Sequence, residues 1–176
     1  MRFGLRFSCG MIKLGKNELL PALNVEGKKF LKRSGIMNRI AKELYEEIEE
    51  LYPPYYEDEM VKLCNNLADI VKDTTYDLTD VFAVVGEFCE ETGETSDKDQ
   101  CASFLFSSVI ELLPVNEANA RRLYDCFMGF DDLDVVFRLV DDFDEFLTEK
   151  QRKNIYERAK ATYDEEIVKN IFGIDD

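Results

Sequence analysis

The chain has 176 residues and a formal net charge of −15, with five cysteines and neither histidine nor tryptophan. That length suits a single domain able to bury about two-thirds of the surface its unfolded form exposes, so stability requires no disulfide or metal. Without histidine the commonest general base is missing, and with it the Ser-His-Asp and Cys-His arrangements and the usual mixed zinc sites.

Residues 1–36 carry eight basic groups (Arg2, Arg6, Lys13, Lys16, Lys28, Lys29, Lys32, Arg33) against two acidic ones (Glu18, Glu26), a balance of +6. The remaining 14 basic and 35 acidic groups give residues 37–176 a charge of −21. The opening segment lacks an apolar stretch followed by a small-residue cleavage site, so it does not read as a secretory signal. Lys32-Arg33-Ser34-Gly35-Ile36-Met37 can be encoded by a purine-rich AAGGAG a few nucleotides ahead of an ATG, the pattern of a bacterial ribosome-binding site. We therefore expect residues 37–176 to form an acidic helical domain that starts at Met37. Residues 1–36 are then a disordered basic extension or upstream sequence.

From Met37 the apolar residues recur at three and four, the helical period. Ile40, Leu44, Ile48 and Leu51 form a first stripe that ends at Pro53-Pro54, where proline denies the backbone further helical hydrogen bonds. Met60, Leu63, Cys64, Leu67, Ile70 and Val71 share one face of a second helix. Leu78, Val81, Phe82, Val85, Phe88 and Cys89 mark a third, stopping near Gly93. Ser96-Asp97-Lys98-Asp99 has the make-up of a cap with an acidic first turn, and it opens Cys101 to Leu113, apolar on most sides and expected to be the central buried helix.

Pro114 closes that helix, and Asn116 can cap a fifth bearing Ala120, Leu123, Tyr124 and Phe127 before a stop at Gly129. A sixth presents Leu133, Val136, Phe137, Val140 and Leu147. Thr148 with Gln151 matches a capping box, and the helix it starts is expected to run through Ile155, Ala159, Tyr163, Ile167 and Ile171 to Gly173. The fold class is therefore all-α, with about seven antiparallel helices. Helix starts spaced by roughly 20 residues suit a short repeat-like array, but without a repeated signature a single closed bundle is the more economical arrangement.

Cysteines at no paired spacing in apolar settings point to buried residues in a reducing, cytoplasmic setting, not to a disulfide framework or a four-thiolate zinc site. The longest apolar stretch, around Ala102 to Leu113, is broken by Ser103, Ser107, Ser108 and Glu111 and is too short to span a membrane. Asp141-Asp142-Phe143-Asp144-Glu145 carries acids like the magnesium site of helical prenyl-diphosphate enzymes. Helical spacing instead places Asp134, Arg138, Asp141 and Glu145 along one exposed ridge opposite Val136 and Val140. Calcium binding of the EF-hand kind lacks its glycine and loop spacing. Tyr52-Pro53-Pro54-Tyr55-Tyr56 contains a PPxY sequence of the type WW domains bind, and it also suits a tight interhelical turn.

Glu47-Ile48-Glu49-Glu50 followed by Asn66-Leu67-Ala68-Asp69 resembles an incomplete form of the ExxE plus ExxD pattern of MazG-type helical nucleotide pyrophosphatases, with Asn66 in place of one acid. The resemblance covers two helices. It implies a magnesium-dependent nucleotide pyrophosphohydrolase with Glu46, Glu47, Glu50 and Asp69 around the metal.

The preferred expectation is a non-enzymatic binding protein, of the kind exemplified by immunity proteins and nucleic-acid mimics, that masks a basic surface of a partner. Carboxylates on one helix face repeat at about 6 Å, comparable to backbone phosphates, and compete for the same lysines and arginines. The candidate contact residues are Tyr55, Tyr56, Glu57, Asp58, Asp131, Asp132, Asp134, Asp141, Asp142 and Glu145. No cofactor is implied, and a body of this charge repels nucleic acid and anionic lipid. The same acidity also keeps a protein dispersed without binding anything.

Overall fold

The computed structural model describes residues 37–49, 56–93 and 98–173. Eight α-helices and no strands occur among them: α1 (Arg39–Ile48), α2 (Glu57–Lys72), α3 (Asp80–Thr92), α4 (Lys98–Glu111), α5 (Glu117–Gly129), α6 (Leu133–Asp141), α7 (Glu149–Thr162) and α8 (Glu165–Phe172). A 3₁₀ turn, Asp144–Phe146, joins α6 to α7. The expected Pro53-Pro54 stop, the Ser96-Asp97 cap and the whole of residues 1–36 lie outside the described residues.

Local chemistry accounts for several helix ends. Asn38 and Asn116 each accept a backbone N–H three residues on, at 3.0 and 2.9 Å, satisfying first-turn donors of α1 and α5. Thr148 and Gln151 form the anticipated reciprocal capping box of α7. Gly93 and Gly173 end α3 and α8 in the left-handed conformation, at φ 74° and 62°, where a side chain is strained. Gly129 does not stop α5 as anticipated: it stays helical, and Phe130 closes the helix in an extended conformation, its N–H bonded to the carbonyl of Cys126. Tertiary packing supplies the stop, because Phe130 stacks edge-on against Phe82 and Phe106.

Helices α1 to α4 form an up-and-down bundle, with α4 also packing on α1 and α2. Helix α4 is the hub. Its Leu105, Phe106, Val109 and Ile110 are fully buried, and α6 lies against it to attach the second half of the chain. Helix α5 packs beside α6, α7 lies against α5 and α8, and α8 also packs on α6, so one contiguous apolar core joins both halves.

The last expected helix is two. Tyr163 and Asp164 are extended, and α8 begins with Glu165 and Glu166 in its first turn, where negative charge suits the helix dipole. The break lets α8 turn back so that Val168 and Ile171 are buried and Phe172 meets Tyr156 edge-to-face at 5.2 Å. Burying two such aliphatic side chains is worth about 1.5–3 kcal/mol each, which outweighs the two residues of helix forfeited.

Candidate functional site

Helices α4 and α6 run side by side in the same direction. Ser107 Oγ donates to Asp134 Oδ2 at 2.5 Å, and one turn further along both helices Arg138 Nη2 donates to the carbonyls of Glu111 and Leu113 at 3.4 and 3.2 Å. Counting round each helix from the Ser107–Asp134 bond places Phe104 and Glu111 on the outward flank of α4, and Phe137 and Asp141 on that of α6. Phe104 is 43% exposed and Phe137 is 39% exposed. The two rings are offset by about 9 Å along the helix axes, at 1.5 Å per residue. Glu111, Asp134 and Asp141 are exposed, and among the described residues none of the three has a cation within ion-pair distance.

This face corrects the expected acidic ridge in two respects. Arg138 is not part of it: the side chain, 19% exposed, turns inward to pair with Asp142, to cap the end of α4 and to lie over the Phe143 ring at 5.2 Å. Helix α6 also stops at Asp141, so Glu145 sits on the 3₁₀ turn and leaves the line of Asp134 and Asp141. Phe137, expected in the core stripe, faces outward because α6 needs only Val135, Val136 and Leu139 to bury itself.

The other candidate contact residues are dispersed or engaged. Asp131 pairs with Arg158 at 2.6 Å. Asp132 is half-buried and caps α6, accepting the N–H groups of Asp134 and Val135 at 3.0 and 3.1 Å; burial raises its carboxyl pKa against those bonds. At the start of α2, Tyr56 donates its hydroxyl to the Thr92 carbonyl at 3.0 Å, tying α2 to the end of α3. Glu57 is partly buried there and Asp58 exposed, and neither belongs to the α4–α6 face. Tyr55 lies outside the described residues.

Among the described residues of the magnesium reading, Glu46, Glu47 and Asp69 form no cluster placed to hold a metal ion. Helices α1 and α2 form an antiparallel pair in which Glu47 faces Cys64, whose thiol pKa is raised to about 12, first by burial and then by that carboxylate. Asp69 lies five residues further along α2, about 7–8 Å beyond that level. Asn66 faces α3 instead, in a hollow shared with Lys62, Glu87 and Glu91, where Lys62 bonds both glutamates at 3.0 and 2.7 Å. Glu46, Glu47 and Asp69 are exposed, and Glu50 lies outside the described residues. Among the described residues no three acidic or cysteine side chains are placed to share a metal ion, and Cys64, Cys89, Cys101 and Cys126 are buried.

No described helix is long and apolar enough to cross a membrane. No family model, characterised protein or solved structure matches the chain.

Proposed function

We propose that this chain is a non-enzymatic binding protein of a reducing, cytoplasmic setting, and that it masks a basic surface of a macromolecular partner with the outward face of α4 and α6. The observation that carries this reading is the placing of two exposed phenylalanine rings among three carboxylates that have no cation within ion-pair distance among the described residues. Such a face offers what the centre and the rim of an interface each need. Aromatic rings give desolvated contact area, and unpaired carboxylates steer and orient a basic partner. Because Glu111, Asp134 and Asp141 remain hydrated in the free protein, pairing them at an interface rim changes association rate and salt dependence more than final affinity.

Immobilised full chain is expected to retain a basic protein from a lysate of its own source at low ionic strength and to release it as salt rises past about 0.15 M, where the Debye length falls to about 8 Å. Retention should drop when Asp134→Asn and Asp141→Asn are combined, and drop further with Phe137→Ala. Equal retention by the triple variant, or no basic protein held at low salt, defeats the proposal.

A further inference from the structure

The turn that folds α8 back against α7 leaves a cavity of about 370 Å³ beside α6. Five of its eight lining residues form an apolar surface: Val140 of α6, Leu147 from the connection, Ile155 and Tyr156 of α7, and Phe172 of α8. Leu147 and Ile155 are buried, and the Tyr156–Phe172 edge-to-face pair at 5.2 Å holds one wall. Three charged residues, Asp144, Arg152 and Lys153, complete the lining, and two of the three satisfy each other. Arg152 Nε donates to Asp144 Oδ1 at 2.6 Å, and its Nη2 donates to the Asp144 carbonyl at 2.6 Å. The third, Lys153, is exposed and has no carboxylate within ion-pair distance among the described residues.

We infer that this cavity binds a small amphipathic monoanion, a carboxylate carried on an aliphatic chain or a ring. Its volume falls within the range of about 300–1,000 Å³ typical of small-molecule clefts, and its apolar lining suits the body of such a ligand. Lys153, an exposed residue of the lining, supplies a compact point charge for one carboxylate. A dianion would bring its second charge against Asp144 and the acidic field of a chain carrying −15 overall. A cationic ligand would meet the ammonium of Lys153. The site is separate from the α4–α6 face, so the two proposals stand or fall independently.

Methyl NMR of the full chain, titrated with sodium octanoate, tests this directly. Saturable shifts are expected at Val140, Leu147 and Ile155, weaker ones with octanol, and none with acetate. Lys153 is exposed, so Lys153→Gln leaves the fold intact; it should weaken octanoate binding about three- to fivefold, the scale of one exposed ion pair, and leave octanol unchanged. The combined Asp134→Asn, Asp141→Asn variant should bind octanoate as the parent does. The inference is overturned if those methyls do not move, if octanol binds as tightly as octanoate, or if Lys153→Gln has no effect.

Discussion

Arg122 Nη2 donates to the carbonyl oxygen of Ile70 at 2.7 Å, fastening α5 to the last turn of α2. That carbonyl is one of the groups a helix end leaves without an intrahelical partner. The same guanidinium donates through Nε to the Tyr76 carbonyl at 3.1 Å and through Nη1 to Asn119 Oδ1 at 2.9 Å, so one side chain closes the α2–α3 turn onto the second half of the chain. Burial lowers the Arg122 pKa, while Asp73, Asp77 and Asp80 oppose the shift; the group stays charged.

Arg122→Met is expected to lower stability by about 2–3 kcal/mol, since it leaves three acceptors without their donor. Arg122→Lys should recover only part of this, because an ammonium lacks the planar fork that reaches all three. Urea denaturation of both variants measures the difference.

Neighbouring phenylalanines on α4 should behave in opposite ways. Phe106 is fully buried and stacks with Phe82 at 5.0 Å, so Phe106→Ala should cost about 3–5 kcal/mol. Phe104 is 43% exposed, and Phe104→Ala should change stability by less than about 1 kcal/mol. The same denaturation experiment separates them, and comparable losses would show that α4 is rotated from the orientation described.

Asp77 and Asp132 should respond to acid in opposite senses. The Asp77 pKa is lowered, chiefly by the Thr79 hydroxyl and also by the Thr79 N–H. Its contribution to stability is therefore present above the ordinary carboxylate pKa of about 3.9 and is lost as pH falls through the lowered value. The Asp132 pKa is raised by burial, so its contribution is full below about 3.9 and is lost as pH rises through the raised value. Asp77→Asn should destabilise at neutral pH, with a deficit that shrinks as the pH is lowered from about 5 toward about 2. Asp132→Asn, which keeps the capping oxygen, should hold or raise neutral-pH stability, whereas Asp132→Ala should lose about 1 kcal/mol. Thermal unfolding across that pH range checks each sign.

The thiols of Cys64 and Cys126 should be inert in the folded protein. Burial, with smaller contributions from nearby carboxylates, pushes both up to about 12, leaving almost no thiolate at pH 8. Iodoacetamide at pH 8 should leave both unmodified in the native chain and alkylate both in denaturant, as peptide mass spectrometry would show. Rapid native modification of either would place it nearer the surface than described.

Helix identity was written locally. The three-and-four apolar spacing, Asn116 at an N-terminus, the Thr148–Gln151 box and the stops at Gly93 and Gly173 all act within a turn or two of the backbone, so they could be read in sequence order. The hub role of α4 was legible for a related reason: a helix apolar on most sides has to be surrounded.

What sequence alone could not fix was the choice among apolar and charged residues that share one period. Phe137 and Val136 are adjacent on a periodic stripe, yet only Val136 is buried, because the direction from which α4 approaches α6 decides it. Arg138 reads as one member of an acidic ridge until the carbonyls of Glu111 and Leu113, distant in sequence, draw it inward. The fold-back at Tyr163 and Asp164 carries no proline or glycine to announce it; it exists because Val168 and Ile171 find an apolar surface made by other helices. Composition and period therefore determined an acidic all-helical chain, while the exposed aromatic face and the α7–α8 cavity were decided by tertiary packing, since both depend on contacts between segments that no local pattern records.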